Sequence, residues 1–233
     1  MIFNNHNFRV METSQSRNFM QRVYGWMAIA LSISATSAYV VANTPALAFF
    51  YHNPIIMFVA IIAQIGLVIS LTTALPRMQV STAMIIFTSY AGLSGANLAG
   101  LFLIYTLPSL AITLAVTAGM FLAMALYGQF TKSDLSSLGD FLFMAIIGLV
   151  IAKFVGIFVG SANFSMITAA FGVMIFTLFT AYDVQMIKNL GSQMLVSHDD
   201  MTKVALIGAL KLYLDFVNLF LYLLRFFGQQ RRD

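Results

Sequence analysis

Residues 54–75 read PIIMFVAIIAQIGLVISLTTAL, 22 positions without a Lys, Arg, Asp or Glu. A hydrocarbon core about 30 Å thick is crossed by roughly 20 apolar residues in a helix, so this stretch reads as a membrane span. Six more runs of the same kind lie at about 23–41, 80–103, 109–128, 138–160, 163–187 and 204–228. The loops between them are short, and the longest is the polar stretch 188–203. The expectation is therefore an all-α membrane protein of seven spans, with a tail 1–22 before the spans, a transmembrane domain 23–228 and a short tail 229–233.

Composition agrees. Of 233 residues 60% are hydrophobic, and 12 are Lys or Arg against 8 Asp or Glu. Mean hydropathy is +0.89. A soluble domain carries roughly 25% charged residues, so a secreted enzyme, a nucleic-acid binder and a disordered regulator are excluded. The net charge of +4 points to lipid headgroups, since most cations sit at the edges of apolar runs. There is no cysteine, which removes disulfides and thiol chemistry.

The cations orient the spans. Arg9, Arg17, Arg22, Arg77, Lys132, Lys188 and Lys203 fall in the amino-terminal tail and in alternate loops, while the three opposite loops (43–53, 104–108, 161–162) carry none. That asymmetry puts the amino terminus in the cytoplasm. Arg231 and Arg232 then fall outside, unless the seventh segment is re-entrant. The segment Ala35-Thr36-Ser37-Ala38 is read as part of a retained span, because the polar stretch before it is too long for a signal peptide.

Small residues let membrane helices approach closely. Ala111, Ala115, Gly119 and Ala123 in run four, Gly148, Ala152, Gly156 and Gly160 in run five, and Gly92, Ala96 and Gly100 in run three are read as packing ridges. No internal repeat supports a transporter of inverted repeats.

Ionisable groups inside a membrane cost roughly 3 kcal/mol or more at mid-helix, so each needs a reason. In run seven Lys211, Asp215, Asn218, Tyr222 and Arg225 are spaced 4, 3, 4 and 3 apart, on one helix face. This stripe must turn toward other helices, a water cavity or a partner subunit. It is either a structural ladder, with Lys211 and Asp215 neutralising each other, or an ion or proton site. Asp183 ends run six. Two acids on adjacent helices can share one proton or hold one hard cation. Counted from Lys188 and Lys203, however, their depths differ by about 10 Å. Lys153 is expected to snorkel toward the headgroups, and Gln64 has no obvious partner. His6, His52 and His198 fall in tails or loops without metal-ligand spacing, and Asp199-Asp200 reads as a helix-start acid pair.

Ala181-Tyr182-Asp183-Val184-Gln185-Met186-Ile187-Lys188 and Leu212-Tyr213-Leu214-Asp215-Phe216-Val217-Asn218-Leu219-Phe220-Leu221 resemble the two signature segments of the Bax inhibitor family. Gln21-Arg22-Val23-Tyr24-Gly25-Trp26-Met27 and Thr131-Lys132-Ser133-Asp134-Leu135-Ser136 agree with it. The resemblance covers nearly the whole chain and is greatest to the short bacterial inner-membrane branch. It implies seven helices with the seventh central among six. It also implies a pH-sensitive calcium (cation) leak channel of the cell inner membrane, with Asp183 and Asp215 as the paired aspartates that bind the ion or proton. In some members an arginine near the inner end of the second helix closes this latch, and Arg77, which follows Pro76, is the nearest candidate for it here. Gln64 stands where a relative carries a glutamate. Lys211 departs from the pattern: a positive charge one turn from Asp215 favours the ionised acid and opposes a divalent cation.

The expected partners are the lipid bilayer, calcium ions and protons, and other membrane proteins, with no cofactor and no nucleic acid. The chain is not expected to be an enzyme. An intramembrane aspartyl protease needs Gly-x-Gly-Asp at its second acid, where this chain has Leu212-Tyr213-Leu214-Asp215. A retinal protein needs an acid in run three, which has none. The remaining alternative is a non-conducting membrane partner protein whose carboxylates are structural.

Overall fold

A computed structural model describes residues 5–193 and 198–231; side chains are described for 16–191 and 200–231. The side chains of His6, Arg9, His198, Asp199 and Arg232 lie outside the described residues. Seven helices are long and apolar enough to cross a membrane. They fall within Asn5–Ala42 (α1), Pro54–Thr73 (α3), Val80–Leu98 (α4, continued by α5), Leu107–Phe130 (α6), Ser136–Val159 (α7), Ala162–Gln193 (α8) and His198–Phe227 (α9). Two short helices complete the set, Ala46–His52 (α2) and Leu101–Ile104 (α5). The expected all-α, seven-span class holds.

Boundaries differ where local contacts override hydropathy. The first helix starts far before position 23, because α1 begins at Asn5 and Phe19, Met20 and Val23 are buried. The 43–53 loop holds α2, whose Tyr51 interrupts the third span. The Tyr51 hydroxyl donates to Asn97 O (2.7 Å) and accepts from Gly100 N–H (2.6 Å). Those backbone groups are thereby drawn out of the helical ladder, and the span breaks between α4 and α5. Gly100 is thus a close-approach position for a tyrosine ring.

The chain divides into two units, Met1–Ile104 with Asn189–Tyr213, and Tyr105–Lys188 with Leu214–Asp233. In the first, α1 crosses α4 with backbone nearly touching backbone. Ser34 Oγ donates to Ala91 O (2.7 Å) and Ser37 Oγ to Gly92 O (2.7 Å). A Cβ at Gly95 would strike the backbone carbonyl of Ser34. The run-three ridge is therefore shifted: Ala91 and Gly95 carry the crossing, and Gly92 accepts its hydroxyl bond. Tyr213 closes this cluster. Its hydroxyl lies 2.8 Å from Ser34 Oγ, whose proton goes to Ala91, so Tyr213 is the donor.

In the second unit the expected run-four ridge is on the wrong side. Ala111, Ala115, Gly119 and Ala123 are exposed. The buried face of α6 is Ser109, Thr113, Thr117, Phe121, Ala125 and Gly128. Hydroxyls win this choice because an unsatisfied polar group in lipid costs more than exposed alanine. In the run-five ridge, Gly148 of α7 and Gly160 just past its end are exposed too, and of the three ridge glycines only Gly156 approaches a neighbour, the Phe164 ring, at 3.3 Å from where its Cβ would be.

The last helix is the most enclosed. Its span window is 56% buried, against 11–39% for the others, and no residue from 201 to 224 is exposed. Its end is anchored at the start of α6: Thr106 N–H donates to Gln229 O (3.2 Å), and Gln229 N–H to Ser109 Oγ (2.9 Å). The far end of α6 holds the end of α8 through Lys188, whose Nζ donates to Gln129 O (2.6 Å). A re-entrant seventh segment would return its tail to that second end; the tail lies at the first.

Candidate functional site

The segment Ala181–Lys188 is built into the turn between α6 and α7. Ala181 presents its carbonyl to Gly128, where a Cβ would collide with it. Tyr182 lies over Gly139. Gln185 bridges the turn: its Oε1 accepts from Leu135 N–H (2.8 Å) and its Nε2 donates to Ser133 O (2.8 Å). Lys188 Nζ takes the Gln129 carbonyl in the last turn of α6, where an orphan acceptor favours a cation. The turn is stiffened by Asp134, which accepts from the N–H and hydroxyl of Ser136. Those bonds hold its carboxyl below the ordinary carboxylate value. Every residue of the segment that touches the turn brackets Asp183, so its place on α8 is fixed from both sides.

Asp183 and Asp215 are both buried, 4% and 5% exposed. The expected difference in depth does not exist. Phe176 of α8 stacks on Tyr222 of α9, with centroids 5.7 Å apart and planes at 23°. Asp183 follows Phe176 by seven residues, and Asp215 precedes Tyr222 by seven. The helices are antiparallel, so both acids lie two turns, about 10 Å, from the stack in the same direction. Seven residues return a helix to nearly the same face, so each acid lies on the face that carries the stack. Counting depth from Lys188 and Lys203 failed because α8 runs on to Gln193. One oxygen of each, Asp183 Oδ1 and Asp215 Oδ2, is buried and accepts no hydrogen bond, and both residues have further interactions.

The stripe on α9 grades along the helix. Asp215 and Tyr222 are buried, Lys211 and Asn218 half-buried, and Arg225 exposed with its Nε donating to Ser165 Oγ (2.8 Å). Asn218 spends its amide on Leu214 O of its own helix (2.8 Å). Phe216, next to Asp215, meets Phe121 edge-on at 5.5 Å. Lys153 does not simply snorkel: its Nζ sits 4.4 Å from the Tyr222 ring centroid. Arg77 is exposed in the 3-10 turn Leu75–Arg77. Gln64 does have a partner, accepting from Asn97 Nδ2. Among the described residues no three His, Cys, Asp or Glu come together.

Sequence reasoning missed Gln185 and the Tyr213–Ser34 bond. The signal for Gln185 was a long amide two residues past an in-membrane acid. Tyr213 gave a weaker one, a phenol among leucines with its hydroxyl unaccounted for.

A seven-span membrane protein whose last two helices carry buried acids at one level is the class these features define. The chain belongs to the family described as Inhibitor of apoptosis-promoting Bax1, which it matches over residues 16–232. It is 42% identical over 217 residues to Inner membrane protein YbhL of Escherichia coli K12, covering 92% of this chain and 93% of that one. A protein of Borreliella burgdorferi is 40% identical, with 92% and 93% covered. One of Deinococcus radiodurans is 38% identical, with 90% of each chain covered.

Proposed function

We propose that the chain is a pH-sensitive leak channel for calcium or a similar cation in the inner membrane, gated by Asp183 and Asp215. The observation that carries this reading is two membrane-buried carboxylates at one level of antiparallel helices. Two ionised acids so placed repel in a low dielectric, and sharing one proton relieves the repulsion. The singly protonated pair can hydrogen-bond across the helices and hold α9. A second proton removes the remaining charge and loosens it, so the helix position follows pH. Lys211, one turn before Asp215, is the nearer cation on the helix and the gating partner in this reading. Arg77, the arginine the family pattern supplies, is exposed in its 3-10 turn and is the second gating partner in this reading.

The channel itself is tested in liposomes loaded with a calcium dye. Calcium entry that rises with the purified chain supports conduction. Dye signals equal to those of empty liposomes at every pH would leave only the non-conducting partner role. Lys211→Thr is expected to move the pH midpoint upward, because the charge that favours ionised Asp215 is gone.

A further inference from the structure

The carboxylates account for one end of the α9 stripe and leave Lys153, Tyr222 and Arg225 unexplained. Lys153 and Arg225 are exposed side chains with exposed apolar neighbours in sequence, Phe154 and Val155 beside Lys153 and Phe226 and Phe227 beside Arg225. An unneutralised cation there is costly, so a counter-charge is required. On their own helices the closest acids are far along the chain: Asp140, 13 residues before Lys153, and Asp215, 10 residues before Arg225. Both cations are nonetheless held in place. Lys153 Nζ is 4.4 Å above the Tyr222 ring, and that ring is fixed by its stack on Phe176. Arg225 follows Tyr222 by three residues, one turn along the same face. Its Nε is committed to Ser165 Oγ at 2.8 Å, in the first turn of α8. That leaves the two terminal nitrogens of the guanidinium for a planar, two-pronged acceptor. The α8 first turn adds the positive end of a helix dipole. All of this lies toward the end of the unit where α7 stops and α8 begins.

We propose that Lys153 and Arg225, set by Tyr222 and Ser165, form a binding site for a phosphate group, and that the phosphate is the headgroup of an anionic phospholipid lying against α7 and α9. A lipid is favoured over free phosphate because the surface around the cations is apolar: Phe154, Ile157 and Phe158 of α7 are all exposed beside them. The site stands independently of the carboxylate reading.

Native mass spectrometry of the full chain in neutral detergent tests it, with short-chain phosphatidylglycerol, short-chain phosphatidylcholine and inorganic phosphate as probes. Phosphatidylglycerol is expected to bind saturably and more tightly than phosphatidylcholine. Lys153→Gln and Arg225→Gln should each weaken it about fivefold, the scale of one cation at a charged lipid surface, and the double variant should abolish the preference. Lys132→Gln removes an exposed cation of the α6–α7 turn, outside the site, and should bind normally. Inorganic phosphate that displaces the lipid at similar concentration would uphold the phosphate site and assign it to the free ion. Phosphatidylglycerol binding unchanged in the double variant would overturn the proposal. Both cations are exposed, so these variants are expected to melt as the parent does, which thermal unfolding verifies.

Discussion

Phe176 stacks on Tyr222 at 5.7 Å, and this contact sets the register of the last two helices. It brings Asp183 level with Asp215 by equal seven-residue steps. The chain has no cysteine, which makes the register open to direct measurement. Asp183→Cys with Asp215→Cys should cross-link with a short bifunctional thiol reagent. Phe179→Cys with Asp215→Cys, one turn out of register, should not. The opposite pattern would mean that the acids lie at different depths.

The crossing of α1 and α4 predicts a sharp difference between two glycines. Gly95→Ala drives a Cβ into the backbone of Ser34, which cannot swing aside. Overpacking of this kind costs about 1–3 kcal/mol, so the detergent melting point should fall. Gly119→Ala meets nothing within 4 Å and should melt as the parent does. Equal losses at both would mean that the α6 face bearing Gly119 is packed.

Much of this was legible beforehand. The seven spans follow from length and hydropathy alone, and the two acids from the cost of burying charge. The buried face of α6 was not legible from its small residues, because lipid tolerates Ala and Gly as readily as a neighbouring helix does. Ser109, Thr113 and Thr117 were the better guide, since their hydroxyls must be satisfied away from lipid. The common level of the acids was hidden because depth was counted from flanking lysines, whereas α8 continues past Lys188. The Gln185 bridge depends on a turn folded against a helix some 50 residues away in sequence, which no local pattern encodes.

That bridge predicts a stability effect outside the membrane core. Gln185→Ala removes both bonds to the α6–α7 turn and should cost about 1–3 kcal/mol at about 1 kcal/mol or more per bond. Gln185→Glu keeps the acceptor for Leu135 N–H and loses the donor to Ser133, so it should fall between. A Gln185→Ala chain that melts like the parent would show that the bridge contributes nothing.

Topology is checked by fusions. A reporter active only in the cytoplasm should work after Leu190 and fail after Asn53, as the distribution of Lys and Arg requires. Activity after Asn53 alone would invert the orientation.

The carboxylate pair is the centre of the account, and one comparison bears on it most directly. Calcium flux into dye-loaded liposomes is measured across about pH 5–8 for the parent chain and for Asp183→Asn. The parent should show a sigmoidal pH dependence, and Asp183→Asn a flat one, because the shared titration is gone. An Asp183→Asn profile that overlays the parent's would contradict the account and make both carboxylates structural.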